Sequence, residues 1–276
     1  MREELARLWQ YRELLYSMVN RDLKVRYKNS FLGFLWSLVN PLLTVFVISY
    51  IFKTAVGNAG QNFSAYVLAA YLPYMFFSMS IMDATGSILG NISLVKKIYF
   101  PREILPLTAI ISNFIHFLLA LVVFFAYLLV IYILYPGSLP FQATTIYLPF
   151  LLLISFLLAA GVGLMASALN TFYEDVKYIV GFVMQMLLFL SPIMYFAERM
   201  SHDTPRRYLA LNLINPIGIL CNAYRKTLLA PQGAYGLPPL PIEWGLIAYA
   251  AGLSLVVFVA GYWVFNRFKW KFVERP

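Results

Sequence analysis

Long apolar runs with almost no charge alternate with short polar segments along this chain. Six of these runs reach about the 20 residues that a helix needs to cross the apolar core of a bilayer. They cover residues 32–52, 66–89, 107–134, 147–169, 178–196 and 244–265. Backbone polar groups find no partner in lipid unless they bond within their own segment, so each run is predicted to be a helix. The predicted fold class is an all-α integral membrane protein with six transmembrane helices within residues 32–265.

Two segments outside these runs have a different pattern. Within residues 1–31, apolar residues recur at helical spacing between basic and polar ones, which is typical of an amphipathic helix in a membrane interface. This helix either only anchors the chain or also contacts a partner or an anionic lipid-linked substrate. Residues 197–243 are too long for a plain loop, and their apolar stretch is interrupted at Asn215 and Pro216. Such short interrupted stretches predict re-entrant helices. Residues 266–276 are predicted to form a tail.

The distribution of basic residues predicts the orientation. Six crossings place both termini on one side, and that side holds fifteen of the 21 Lys and Arg residues, against five or six on the other. Because basic loops remain in the cytoplasm, both termini and segment 91–106 are predicted to be cytoplasmic. The net charge of +9 lies beside apolar runs, which favours anionic lipid head groups over nucleic acid as a partner.

The composition excludes a soluble domain, and the motifs offer no catalytic centre. Of the 276 residues 61% are hydrophobic and 12% are charged, whereas soluble domains carry about 25% charged residues. No GxxxxGK[ST] phosphate loop occurs, so ATP hydrolysis by that route is excluded. We predict no catalytic residue and no bound metal. Asp83 is the only acid inside an apolar run, and we expect it to pair with a polar neighbour on another helix rather than to couple transport to an ion gradient.

The segment NISLVKKIYFPREILP, residues 91–106, is a compact charged stretch between two apolar runs. It is longer than a turn requires. Its apolar members, such as Val95, Ile98 and Phe100, would be exposed in the cytoplasm unless something covers them. A short amphipathic helix ending before Pro101 suits either the groove of a partner protein or a lipid surface. The residues alone leave both possibilities open.

Four stretches resemble type 2 ABC exporter permeases. RDLKVRYKNSFLGFLWSLVNPLL (21–43) is similar to their opening motif, LVKKIYFPREILPL (94–107) to their cytoplasmic loop, LNTFYEDVKYIVGFVMQMLLFLSPIMY (169–195) to the region of their fourth and fifth spans, and NPI (215–217) to their outer re-entrant part. The subgroup most resembled exports lipid-linked cell-surface polymers, namely O-antigen, capsule-type polysaccharide or wall teichoic acid. The resemblance implies a transport subunit and not an enzyme.

The resemblance also implies partners. Permeases of this kind form homodimers in the bacterial plasma membrane, and each copy binds a separate ATPase subunit that holds the ATP and Mg²⁺. No cofactor is expected in this chain. The loop after the second span is the coupling helix of these permeases, so the resemblance assigns contact with the ATPase to residues of segment 91–106. They are Lys96, Lys97, Tyr99, Phe100, Pro101, Arg102 and Glu103.

Two further sets of residues are candidates for contact with a polymer carried on polyprenyl pyrophosphate. Aromatic rings suit the apolar faces of sugars, and the resemblance places the first, second and fifth spans along the channel. Aromatic residues also favour membrane interfaces, so these positions do not require contact with a sugar. The aromatic candidates are Phe34, Trp36, Phe46, Tyr50, Tyr195 and Phe196. Basic residues ahead of the first span either attract the pyrophosphate or only set the topology. They are Arg21, Lys24, Arg26 and Lys28.

The nature of the substrate stays open at this point. The basic outer segment slightly favours an anionic polymer such as teichoic acid. One alternative function is a membrane-embedded enzyme of polyprenyl-lipid metabolism, which would need an acidic pair for a metal and pyrophosphate. Another is an ABC-2 exporter of a small lipid or drug.

Overall fold

The computed structural model describes residues 9–27, 35–56, 63–134, 142–193, 195–230 and 239–273. These residues form helices and turns without a strand, so the all-α prediction is confirmed for this part of the chain. The α-helices are α1 (Arg12–Tyr27), α2 (Leu35–Val56), α3 (Phe63–Gly86), α4 (Ile92–Lys97), α5 (Ile104–Leu134), α6 (Leu148–Phe172), α7 (Val176–Leu190), α8 (Ala197–Asp203), α9 (Pro205–Ile214), α10 (Pro216–Leu228) and α11 (Trp244–Phe268). Short 3₁₀ turns occupy Leu89–Asn91, Ala143–Tyr147 and Lys269–Val273.

Four helical segments are long and apolar enough to cross a membrane. They are Phe63–Gly86, Ile104–Leu134, Ala143–Phe172 and Trp244–Phe272, and they correspond to the second, third, fourth and sixth predicted spans. The other two predicted spans coincide with α2 and α7, whose described apolar stretches are shorter. The 15 residues of α7 extend about 22 Å, less than the roughly 30 Å of a bilayer's hydrocarbon core. Crossing by α2 and α7 therefore stays a prediction.

Helix α6 is central to the bundle, because it packs against α3, α5 and α11. Glycine permits the closest approach: a Cβ atom at Gly161 would lie 2.6 Å from the backbone nitrogen of Phe258, and Gly261 of α11 faces Gly161. Small residues allow such contact between helix backbones in membranes, where dispersion forces replace the hydrophobic effect. Two residues further on, and therefore on the other side of α6, a Cβ at Gly163 would lie 3.0 Å from the side chain of Ile110 in α5.

The buried apolar residues form two clusters. The larger cluster fills the bundle between α3, α5, α6 and α10. The smaller one lies where α3 and α6 end and α5 begins, and it joins residues from five helices, from the loop before α5 and from the 3₁₀ turn after α11. These residues include Met18, Val95, Phe100, Ile104 and Phe265. The two ends of the bundle are named here for later use. The basic end contains α1, α4 and the 3₁₀ turn Lys269–Val273, and the distal end contains α8, α9 and α10.

The helix α1 lies against the basic end with one face covered by protein. Met18 and Val19 are buried, and α1 packs against α5. Arg21 and Lys24 on its other face are exposed. This division agrees with the amphipathic pattern of the sequence, while the position of α1 in a membrane interface stays a prediction.

The distal segment folds into three short helices. The break expected at Asn215 and Pro216 is present, since α9 ends at Ile214 and α10 begins at Pro216. The Asn215 side chain caps α10 by accepting a hydrogen bond from the backbone N–H of Gly218 at 3.2 Å. Almost every residue of α10 is buried, so this helix is part of the core. The re-entrant path through a membrane stays a prediction.

Candidate functional site

The segment between α3 and α5 forms a compact cap on the basic end. The predicted short helix is present as α4, but it ends at Lys97 rather than just before Pro101, because Ile98 has extended backbone with φ −128° and ψ 137°. A turn at Arg102 and Glu103 follows, and α5 starts at Ile104. The cap therefore has a helical half and an extended half.

The side chains of this cap divide into two faces. The exposed face carries Lys96, Lys97, Ile98 and Tyr99. Tyr99 is 72% exposed and Ile98 is 57% exposed, so these two residues do lack an apolar cover. Val95 and Phe100 are buried in the smaller cluster. The expectation that all apolar residues of the segment need an outside cover is thus corrected, since the chain itself covers Val95 and Phe100.

Two charged side chains tie the cap to the end of the last helix. Glu103 is only 2% exposed and accepts a hydrogen bond from Nζ of Lys269 at 2.8 Å. Arg102 donates to the backbone carbonyl of Lys269. Burial lowers the pKa of Arg102, and the charge of Glu103 opposes that shift. A buried carboxylate without its cation would be strongly destabilising. The structure thus gives Arg102 and Glu103 partners within the chain, and their contact with an ATPase stays a prediction.

A polar triad fixes α1 to the bundle. Arg26 donates to the Asp83 carboxylate and, at 2.8 Å, to Oδ1 of Asn113. The Nδ2 group of Asn113 in turn donates to Asp83 at 2.9 Å. The expectation that Asp83 pairs with a polar neighbour on another helix is confirmed. Its partner Arg26 is one of the residues predicted to attract the pyrophosphate, so this cation is already engaged.

A cavity of about 400 Å³ lies beside the triad. Its charged lining residues are Arg21, Asp22, Arg26, Asp83 and Lys177. Three cations and two carboxylates give the lining of this cavity a net positive charge. Of the other predicted entrance residues, Lys24 is exposed and Lys28 lies outside the described residues.

Sequence reasoning missed Lys177 as a candidate. The backbone N–H of Lys177 donates to Oδ1 of Asn170 at 3.1 Å, and Nδ2 of Asn170 donates to the carbonyl of Thr85 at 3.0 Å. These bonds place the start of α7 against the end of α3 and bring Lys177 to the cavity. The available signal was a lone lysine directly after the acids Glu174 and Asp175 at the boundary of an apolar run.

The aromatic residues predicted to line the channel differ in their exposure. Phe46 and Tyr50 in α2 are 67% and 66% exposed, so both are accessible. Trp36 also lies in α2, and Phe34 lies outside the described residues. Phe196, in contrast, is buried, and its ring centroid lies 4.7 Å from that of Tyr66.

Tyr195 is partly buried, and its hydroxyl donates to the carbonyl of Leu190 at 3.0 Å. This bond closes the turn after α7. Phe196 and Tyr195 thus have structural partners within the chain, whereas the α2 side chains Phe46 and Tyr50 are available for contact with lipid, substrate or another protein.

The distal end contains a buried polar cluster that sequence reasoning did not predict. Arg225 is 2% exposed, and its guanidinium carbon lies 3.5 Å from the ring centroid of Tyr66. Its Nε and Nη2 groups each donate at 3.0 Å, to the carbonyls of Tyr66 and Ile193 respectively. The Tyr66 hydroxyl donates to Glu198 at 2.8 Å. Arg225 thereby joins α10 to the start of α3 and to the turn before α8.

A second distal group consists of Lys226, Glu243 and Tyr208. Lys226 forms an ion pair with Glu243 at 2.8 Å, and the Tyr208 hydroxyl donates to the same carboxylate oxygen at 2.8 Å. Burial raises the pKa of Tyr208, which keeps its hydroxyl protonated as a donor. Arg225 and Lys226 belong to the basic outer segment, whose charge favours an anionic polymer. That inference is weakened, because both side chains are engaged within the protein.

In the described part of the chain, no group of three or more His, Cys, Asp or Glu residues could hold a metal ion. A family model described as ABC-2 type transporter matches residues 13–229, from α1 to just beyond α10. The chain belongs to the ABC-2 type transporter family. The match includes the cap, the triad and the buried cluster around Arg225 of this ABC-2 type transporter, while Glu243 of the second distal group lies beyond it.

Individual relatives extend the comparison over nearly the whole chain. The O-antigen export system permease protein RfbA of Myxococcus xanthus is 29% identical over 267 residues, which are 97% of this chain and 96% of that protein. The protein of the same name from Klebsiella pneumoniae is 28% identical over 262 residues, 95% of this chain and 94% of that protein. The polysialic acid transport protein KpsM of Escherichia coli is 24% identical over 203 residues, 71% of this chain and 74% of that protein.

Proposed function

We propose that this ABC-2 type transporter is the permease subunit of an ATP-driven exporter of surface polysaccharide, of the O-antigen or capsule type. The observation that carries the proposal is its likeness, over 95% or more of the chain, to permeases named for O-antigen export. The polymer travels from the cytoplasm to the outer face of the bacterial plasma membrane, linked to polyprenyl pyrophosphate. ATP and Mg²⁺ bind to a separate subunit.

The proposed assembly contains two copies of this chain and two ATPase subunits. Each copy crosses the membrane six times, with α2 and α7 as the first and fifth spans and with both termini in the cytoplasm. Two apolar helix faces support a second copy. On α7, Tyr178 and Phe182 are 75% and 63% exposed, and on α2 Phe46 and Tyr50 are comparably open. In a bilayer such faces contact either lipid or another protein, and the polymer passes between the copies.

The proposed entrance for the lipid pyrophosphate is the cavity beside α1. Arg21 and Lys177 line it, and Lys24 is exposed nearby on α1. Charge-assisted hydrogen bonds from such cations are the usual means of binding phosphate oxygens. Arg26 has a different part, since it fastens α1 to Asp83 at the edge of the same cavity.

The test is purification of the chain in gentle detergent from cells that coexpress a candidate ATPase subunit from the same bacterium. We expect the two proteins to elute together in equal amounts. In proteoliposomes, ATP hydrolysis should rise when polyprenyl-linked polysaccharide is added. A chain that elutes alone and converts the lipid-linked substrate chemically would overturn the proposal and favour the membrane-embedded enzyme instead.

Wall teichoic acid is the second candidate substrate, because type 2 permeases for it share the opening motif in residues 21–43. Burial of Arg225 and pairing of Lys226 remove part of the charge argument for it. Stimulation of ATP hydrolysis by a neutral and by a phosphate-rich lipid-linked polymer separates these two substrates. Stimulation only by a small lipid or drug would favour the third alternative.

A further inference from the structure

A second cavity lies at the distal end of the bundle, and separate parts of the chain enclose it. Its volume is about 180 Å³. Tyr66 lines it from the start of α3, Gln142 from the segment ahead of α6, and Glu198 from α8. The end of α10 and residues 239–242 complete the wall. This cavity shares no lining residue with the one beside the polar triad.

Two charged side chains of this cavity are buried, and part of their hydrogen-bonding capacity is unused. Arg225 is 2% exposed, and its Nη1 group has no hydrogen-bond partner among the described residues. Glu198 is also buried, and the Tyr66 hydroxyl occupies its Oε2 atom, which leaves Oε1 as an acceptor. Buried polar groups in proteins normally have partners, and a bound ligand would supply them here.

Lys226 and Gln142 add donors to the same cavity. Nζ of Lys226 donates to the carbonyl of Pro241 at 2.9 Å and to Glu243 at 2.8 Å, and an ammonium group has a third N–H. The Thr144 hydroxyl donates to Oε1 of Gln142 at 3.2 Å, and the amide of Gln142 carries two N–H groups. These bonds hold both side chains in place before a ligand arrives, which lowers the entropic cost of binding.

The charges around the cavity balance. Arg225 and Lys226 are cations of the lining, Glu198 is an acid of the lining, and Glu243 lies beside it in an ion pair with Lys226. Two cations and two carboxylates cancel. An anionic ligand would gain no net attraction, and Glu198 would repel it. The distal cavity therefore differs from the cavity beside the polar triad, whose lining has a net positive charge.

The size and the remaining lining indicate the class of ligand. Leu229, Leu240 and Ile242 give the cavity an apolar wall. Its volume corresponds to about six water molecules at about 30 Å³ each, which is less than the roughly 300 Å³ of the smallest drug-sized pockets. Sugar hydroxyls both donate and accept hydrogen bonds, and the C–H face of a sugar ring is apolar. A single neutral sugar ring matches this size, this wall and this mixture of donors and acceptors.

We propose that the distal cavity binds one neutral sugar ring of the exported polymer. Arg225 and Gln142 donate to its hydroxyls, Glu198 accepts from them, and Leu240 contacts the C–H face. This inference rests on the proposed function, which supplies the polymer and directs the distal end outward. The bound sugar then belongs to the part of the polymer that has already crossed, so its binding opposes backward sliding.

The test is direct binding of the methyl glycosides of glucose, galactose and mannose, each of which represents one residue of a polymer. The purified permease is placed in phosphatidylcholine nanodiscs, so that no sugar-based detergent competes. Saturation-transfer NMR then follows the glycoside. We expect at least one of the three to bind with a dissociation constant of about 1 mM, because so small a ligand has few atoms with which to gain affinity.

Two variants locate the bound sugar. Leu240→Trp places a larger side chain in the cavity and should weaken binding at least about tenfold. Its control is Leu209→Trp on α9, because Leu209 is 50% exposed and does not line the cavity. Gln142→Ala removes a donor without filling the cavity and should weaken binding about two- to tenfold. Its control is Gln185→Ala, at an exposed position of α7. If Leu240→Trp does not fold, the milder Gln142→Ala decides the result.

The outcomes separate this site from the proposed function. The site is overturned if none of the glycosides binds saturably to the wild type, or if both cavity variants bind them as the wild type does. Stronger binding of inorganic phosphate or of the methyl glycoside of glucuronic acid identifies an anion site and overturns the sugar assignment. Stimulation of ATP hydrolysis by polyprenyl-linked polysaccharide without glycoside binding leaves the proposed function intact. Glycoside binding without such stimulation contradicts the proposed function and not the site.

Discussion

Replacement of Gly161 by alanine should weaken the packing of α6 against α11. The added Cβ atom would lie 2.6 Å from the backbone nitrogen of Phe258 and equally close to the carbonyl carbon of Val257. Ordinary contact begins near 3.4 Å, so the helices must separate locally by 3.4 − 2.6 = 0.8 Å. The obstructing atoms belong to the backbone, and no side-chain rotation can relieve the overlap.

The magnitude follows from two opposing effects. Overpacking of a tight interior costs about 1–3 kcal/mol, and a backbone obstacle belongs at the upper end. Alanine recovers about 1 kcal/mol through its better helix propensity. The expected net destabilisation is therefore about 2 kcal/mol. For a chain of this size each kcal/mol lowers the melting temperature by about 2–4 °C, which gives a decrease of about 4–8 °C.

The matched control is Gly252→Ala on α11, where an added Cβ meets nothing within 4 Å. Both variants are heated in the same detergent at the same rate, because membrane proteins often unfold irreversibly. Monodisperse protein is then measured by size-exclusion chromatography. If Gly161→Ala melts within about 1 °C of Gly252→Ala, the close approach of the two helices at this position is refuted.

Four further predictions concern the polar groups and α2. The Asp83→Asn variant should retain most of the export activity, and a proton uncoupler should not inhibit that activity, since the half-exposed pair with Arg26 contributes only about 0.2–1 kcal/mol to stability. Export measured with and without the uncoupler checks this, and loss of export would identify ion coupling. Combined Arg21→Gln and Lys24→Gln should raise the KM for lipid-linked substrate several-fold while leaving ATPase retention unchanged, and an unchanged KM removes them from the entrance. Arg225→Leu leaves buried carbonyls without donors and should destabilise the fold by about 3–5 kcal/mol, which a lower yield of monodisperse protein would show. A wild-type yield of monodisperse protein would contradict the role of Arg225 in joining α10 to α3. Tyr50→Ala should reduce export without dissociating the dimer, and export at the wild-type rate would exclude Tyr50 from the channel.

The long helices could be predicted closely because continuous apolar runs fix their positions. The run 107–134 became Ile104–Leu134, and the run 66–89 became Phe63–Gly86. The fifth run was extended too far, to residue 196, since α7 ends at Leu190. The residue before a proline disfavours helical backbone, and Ser191 precedes Pro192 with ψ at 143°. The sequence therefore contained the signal for this boundary.

Partners distant in the sequence could not be predicted in the same way. Glu103 and Lys269 were recognised as charges on the cytoplasmic side, yet nothing in their local sequence identifies them as a pair. Phe100 and Phe196 were assigned to a partner and to a channel, and both are buried in the protomer. An aromatic ring near a helix end suits a core, a membrane interface or a ligand equally well, so only tertiary packing distinguishes these roles.

Packing also determines where a hydrophilic polymer could cross. The interior of one protomer is closed around α6, where a Cβ at Gly163 would already contact Ile110 and Ala84 at 3.0 and 3.1 Å. On α7, by contrast, Met184 is the one buried residue of the described helix, and large side chains such as Phe189 are exposed. An interior packed to the density of a solid has no gap for a sugar ring. In the proposed exporter we therefore expect the conduit to run along an outer face of the chain, where a second protein surface would shield the polymer from lipid.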